Sequence, residues 1–98
     1  MDYKDMQDDL DAIMSKEGGR RFIMQLLLEA GTDESCFCAD PQLLAYYEGR
    51  RSLGVAVLGE VRRLTSGLEY ERQMRIEARA RLPSALRKTD DIYDLTAK

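Results

Sequence analysis

The sequence predicts an all-α fold. A central antiparallel helical hairpin, at about residues 16–30 and 41–65, is preceded by a short acidic helix and followed by a charged one, with no sheet. Three observations carry that prediction. Apolar residues recur at three- and four-residue intervals through four stretches of the chain. The charged fraction is 34%, with only 2 Pro in 98 residues, a composition that suits helices. Helix boundaries stand out at Gly31 and at Asp40-Pro41, between the two central arms.

The first helix is expected from about Tyr3 to Met14. Tyr3, Met6, Leu10, Ile13 and Met14 fall at helical spacing, while Asp5, Asp8, Asp9 and Asp11 take the other face. Acidic residues near its start suit the helix dipole. Ser15 is a good N-cap for a second helix, about Lys16 to Ala30, which Gly31 ends. Counted at about 100° per residue from Phe22, the residues Phe22, Ile23, Leu26, Leu27 and Ala30 cover roughly 140°. Met24 and Leu28 carry the apolar surface well beyond that arc. Such a helix needs more than one neighbour, either the first helix or another subunit.

The loop from Gly31 to Ala39 contains one large apolar residue, Phe37, expected to tuck under the hairpin. Asp40 as N-cap, followed by Pro at the first helical position, is a clear start for the third helix. Leu43, Tyr47, Gly54, Leu58 and Val61 keep to one face of it. Gly67 is expected to end this helix, and Ser66 with Glu69 to form a capping box for the next. Gly49, Gly54 and Gly59 interrupt the helix at a cost of roughly 0.8–1 kcal/mol each relative to Ala. Close helix packing is the expected reason at Gly49 and Gly54, above all at Gly54 on the apolar face.

The fourth helix, Leu68 to Leu82, carries Glu71–Arg75 and Glu77–Arg81 one turn apart, and Tyr70, Met74, Ala78 and Leu82 form a thin apolar stripe. Leu82-Pro83 stops it. The organisation read from this is a helical hairpin domain at 1–66, a charged helix extension at 67–82 and a docking tail at 83–98. Ile92, Tyr93 and Leu95 are the tail's apolar anchors, set among acids.

Chemistry is excluded more readily than assigned. The chain has no His, so the usual general base and the Ser-His and Cys-His nucleophile systems are missing, and no enzyme is expected. Cys36 and Cys38 could offer two thiolates, but no His and no second Cys pair completes a zinc site, so no metal and no cofactor are expected. Gly18-Gly19 lacks the lysine pattern of a phosphate loop. No apolar run is long enough for a membrane span, and the acidic N-terminus is unlike a secretory signal. The net charge of −3 hides an asymmetry: residues 1–49 hold 4 basic and 11 acidic side chains, residues 50–98 hold 11 and 7. Such a dipolar chain can fold its acidic half onto its basic half or stack head to tail on copies of itself.

Two arginine pairs, Arg20-Arg21 and Arg50-Arg51, lie about nine residues from the two ends of the interhelical loop. In a hairpin they are expected to arrive at one height and form a layer with Glu48, drawing carboxylates from Asp8, Asp9, Asp11 and Glu17. Arg50, on the apolar face, is expected to be partly buried and bidentate to a carboxylate or a backbone carbonyl. Binding of phosphate or of an acidic protein patch is the other reading of the layer. Arg62, Arg63, Arg72, Arg75 and Arg79 raise the question of nucleic acid, but glutamates interleave them on the fourth helix and no aromatic ladder accompanies them. Weak, salt-sensitive contact is the most this pattern suggests.

Ser15, Gly19-Arg20-Arg21-Phe22, Leu27-Leu28-Glu29-Ala30-Gly31, Phe37, Tyr47-Glu48-Gly49-Arg50-Arg51 and Gly54 follow an order that resembles a family of short helical proteins of tailed bacteriophages. The resemblance covers about Asp9 to Leu64 and departs at Glu17-Gly18, where the pattern has Pro-Glu. It implies a small non-catalytic component encoded among virion-assembly genes of short-tailed phages and located in the virion. The expected partners are portal, tail or ejection-associated proteins and copies of the chain itself. Met24, Leu28, Tyr70, Met74 and the tail anchors are the candidate contacts. A non-virion role, binding nucleic acid or inhibiting a host enzyme, is the alternative.

Overall fold

The computed structural model describes residues 2–34 and 39–83. It contains α1 (Tyr3–Met14), α2 (Glu17–Ala30), α3 (Pro41–Arg63) and α4 (Gly67–Ala80), with no strand among the described residues. The fold is all-α. Cys36, Phe37, Cys38 and the tail anchors Ile92, Tyr93 and Leu95 lie outside the described residues.

Local chemistry explains most of the boundaries. Gly31 ends α2 in the left-handed region at φ 67, where only glycine is free of Cβ strain. Its N–H donates to Leu28 O and that of Thr32 to Leu27 O, each at 3.1 Å, satisfying carbonyls that the helix leaves open. Asp40 caps α3, its Oδ1 accepting from the N–H groups of Gln42 at 2.9 Å and Leu43 at 3.4 Å.

Three expected boundary signals do not act as expected. Ser15 closes α1 instead of opening α2: its Oγ donates back to Ala12 O at 2.8 Å, and Lys16 takes the N-cap position without a side-chain bond. The departure at Glu17-Gly18 does not delay α2, which begins at Glu17. Gly67 does not end α3. That helix stops at Arg63, Leu64 turns extended, and Gly67 becomes the first residue of α4. The capping box is absent in both halves: Ser66 makes no side-chain cap bond, and the Glu69 carboxylate pairs with Arg72 at 3.0 Å instead of reaching back.

One core gathers Met14, Ile23, Met24, Leu27, Leu58, Val61, Leu64 and Met74. The wide apolar arc of α2 is covered only in part: α1, α3 and α4 pack on α2 and bury Ile23, Met24 and Leu27, while Phe22, Leu26 and Leu28 stay exposed. Met24 and Met74 are therefore core residues, and neither offers a surface to a partner. The α4 segment expected as an extension contributes Met74, which is fully buried, to the same core as the hairpin.

Close approach fixes two of the crossings. A Cβ on Gly19 would lie 1.8 Å from Ile13 O, so the end of α1 rests on the α2 backbone itself. A Cβ on Gly54 would lie 2.0 Å from Thr32 Oγ1 and 2.8 Å from the Ala30 Cβ. Gly54 thus sets where α3 meets the end of α2. Every buried residue of α3 (Gly54, Leu58 and Val61) lies from that point onward, and Pro41 to Leu53 contribute none. Gly49 is exposed, with open space where a Cβ would stand, and is not a packing glycine.

The two glycines of α3 should therefore respond oppositely to alanine. Gly54→Ala should destabilise the fold by about 1–3 kcal/mol through overpacking. Gly49→Ala should stabilise it by about 0.5–1 kcal/mol through helix propensity. Urea unfolding of the two variants checks both signs.

Candidate functional site

The arginines form the chemically distinctive part of the molecule, and the structure divides them into an inner and an outer set. Arg20 belongs to the inner set. Its Nε and Nη2 donate to Glu77 Oε1 and Oε2 at 2.9 and 2.8 Å, a bidentate pair joining α2 to α4. Its Nη1 donates to Met14 O at 3.0 Å, capping the last turn of α1. Both side chains of the pair are 14% exposed. The Arg20 hydrogen bonds hold the Glu77 carboxyl down to about 2 against the opposing effect of burial, and those same bonds raise the Arg20 guanidinium further above its ordinary range.

A second cluster lies where α3, α4 and the α2–α3 loop converge. Glu71 accepts from Arg62 Nε at 2.7 Å, from Arg62 Nη2 at 2.9 Å and from Arg75 Nε at 3.1 Å. Arg75 Nη1 reaches on to Asp33 Oδ2 at 2.9 Å. The Arg62 bonds are the main cause of a lowered Glu71 pKa, with burial opposing them and Arg75 adding to the lowering. Arg63 pairs with Glu60 and Arg72 with Glu69. Arg62, Arg63, Arg72 and Arg75, all considered for nucleic acid, thus already hold carboxylates.

The expected single layer of Arg20, Arg21, Arg50 and Arg51 does not form. Because α3 meets the end of α2 only at Gly54, Arg50 and Arg51 lie beside residues 31–34. Arg51 Nε donates to Glu34 O at 3.2 Å, and Arg50 Nη2 would lie 3.8 Å from a Cβ on Gly31. Arg20 is eleven residues back along α2, roughly 16 Å away along the axis. Arg21 and Glu48 are exposed and join neither cluster. The acceptor for Arg20 is Glu77, which the sequence paired with Arg81, rather than an acid of α1, Glu17 or Glu48.

Arg50 belongs to the outer set. It is exposed, not buried against a carboxylate, and its guanidinium lies over the rings of Tyr46 and Tyr47, 5.7 and 5.2 Å from their centroids. Leu43, Tyr46, Tyr47 and Arg50 follow the i, i+3, i+4, i+7 spacing of one helix stripe, with Leu43 47% and Tyr46 62% exposed. Leu53, 67% exposed, extends the open surface by another turn. Leu28 is also exposed. Tyr70 is half-buried, and its hydroxyl donates to Asp11 Oδ1 at 2.8 Å. The spacing of the stripe is readable in the sequence, but its exposure depends on where Gly54 lets α2 land.

Two recesses border α1. The first, about 380 Å³, is polar and lined by Lys4, Asp8, Asp11, Arg63, Thr65 and Tyr70, whose charged groups are already engaged: Lys4 with Asp8, Tyr70 with Asp11, Arg63 with Glu60. The second, about 270 Å³, is an apolar groove between α1 and α3. Met6, Leu10, Ile13 and Val57 line it, with Asp9 and Glu60 at its edge. Among the described residues no group of acids or cysteines could hold a metal ion, and no helix is long and apolar enough to cross a membrane.

The Glu77 carboxyl is held below its ordinary value of 4.5, so its contribution to stability is complete above that pH and is lost as pH falls toward about 2. Glu77→Gln should lower stability by about 2–3 kcal/mol at neutral pH, a charged hydrogen-bonded pair with some solvent access costing less than a fully buried one. The variant should also lose less stability than the parent on acidification through that window. Thermal melts between about pH 6 and 2 check both effects.

No curated protein and no solved structure matches the chain. A family model does match, over residues 10–76, reaching past the hairpin into α4 and including Arg20 while stopping just short of Glu77. That match spans more than half of the sequence, and the chain belongs to the family of Bbp19-like phage proteins.

Proposed function

We propose that this phage protein is a structural or morphogenesis component of the virion, present in several copies and bound to other virion proteins of the portal, tail or ejection machinery. One observation carries the reading: Leu43, Tyr46 and Arg50, with a half-buried Tyr47 between them, form an exposed stripe on the half of α3 that contributes nothing buried to the core. Tyr and Arg beside apolar side chains are the residue types that dominate protein interfaces. A surface of that kind suits a protein that works by contact.

Nucleic-acid binding or inhibition of a host enzyme is the competing role. The carboxylate partners of Arg62, Arg63, Arg72 and Arg75 count against the first, since a phosphate would have to displace them. Mass spectrometry of purified particles, with cross-linking to identify neighbours, separates these roles. The protein should be found in washed particles and cross-linked to a virion protein. Absence from particles, combined with DNA binding at low salt or capture of a host enzyme, would replace this reading.

A further inference from the structure

The stripe and the apolar groove are on different parts of the same chain, and their chemistries match. The groove has a floor of Met6, Leu10, Ile13 and Val57 and an acidic edge. Glu60 on that edge is occupied, accepting from Tyr3 and pairing with Arg63. Asp9 is exposed and without a partner among the described residues, and so is Asp5, one turn earlier on the same flank of α1. The stripe offers the reverse: apolar Leu43, two tyrosine rings, and an Arg50 cation that has aromatic faces beneath it and no carboxylate at ion-pair distance among the described residues, although Glu34 stands nearby at Gly31.

We propose that these surfaces join copies of the chain head to tail, with Leu43, Tyr46 and Tyr47 of one copy entering the α1–α3 groove of the next and Arg50 facing Asp9 and Asp5. A second copy is the occupant that the charge distribution favours. The acids of α1 belong to a half of the chain with 11 acidic against 4 basic side chains, and Arg50 begins the half with 11 basic against 7 acidic. Closing the contact turns an apolar groove and an apolar stripe away from water and brings Arg50 to two acids that have no partner among the described residues, Asp9 and Asp5. Because the stripe and the groove differ, the contact is heterologous, and it repeats until a ring closes or a chain of copies grows. The proposal rests on the reading of the protein as multicopy, but solution assembly and presence in particles are separate observations.

Sedimentation equilibrium of the full chain tests it, using the parent, Arg50→Glu, Asp9→Lys and an equimolar mixture of the two variants. The parent should self-associate, and each variant should weaken association by about tenfold or more. The mixture should recover it, since Arg50 meets Asp9 in one contact and Glu meets Lys in the next. Both residues lie outside the core, and circular dichroism confirms helicity; should one variant misfold, Tyr46→Ala makes the same test. A parent that stays monomeric, an association indifferent to Arg50→Glu, or a mixture that fails to recover would each overturn the proposal. A chain that is monomeric yet present in particles overturns this contact and spares the functional reading. A chain that self-associates but is absent from particles does the opposite.

Discussion

The rest of the structure depends on the contact of Arg20 with Glu77 and with the Met14 carbonyl. The α4 stripe is thin, and by itself gives that helix a weak claim to a place in the core. Arg20 supplies the missing specificity: two parallel hydrogen bonds to one carboxylate fix the height and rotation of α4 against α2. The remaining guanidinium nitrogen satisfies a carbonyl that the end of α1 would otherwise leave open. One side chain therefore sets three helices. With α4 held in place, Met74 closes over the same core as Met24, and the Ile23, Met24 and Leu27 side of the α2 arc is buried inside a single chain, leaving Phe22, Leu26 and Leu28 at the surface.

The two Gly-Arg-Arg segments show that repeated letters do not imply repeated roles. In the first, Gly19 admits the end of α1 to within contact of the α2 backbone and Arg20 faces inward. In the second, Gly49 touches nothing and Arg50 lies on aromatic rings at the surface. The difference comes from position along the helices. The first segment lies at a crossing, whereas the second lies on the stretch of α3 before Gly54, where no neighbour covers it completely. Inner arginines hold the fold and the outer one remains available for contact, which is why the functional proposal rests on Arg50 rather than on the whole arginine set.

What was legible in the sequence was local. The helix starts and stops at Asp40-Pro41 and Gly31 follow from one or two residues, and periodicity identified the four helices. Gly54 could be recognised as a close approach because it shares a face with Leu58 and Val61. Arg20 and Glu77 are 57 positions apart, and no spacing rule connects them; the nearer Arg81 was the obvious partner for Glu77. The two arginine pairs stand at different heights for a related reason. Counting from the loop assumes that both arms begin to pack at once, while the structure delays α3 until Gly54. Ser15 is not an N-cap because its backbone stays helical as the C-cap of α1, and the extended residue before α2 is Lys16, a shift of one position that composition does not rank.

A double-mutant cycle on Arg20 and Glu77, followed by urea unfolding, measures most directly whether this pair organises the fold. Arg20→Met, Glu77→Gln and the double variant should show a coupling energy of more than about 1 kcal/mol, the double variant being clearly more stable than the sum of the single losses predicts. Additive losses, with coupling near zero, would mean that α4 is held by apolar packing alone and would contradict the account.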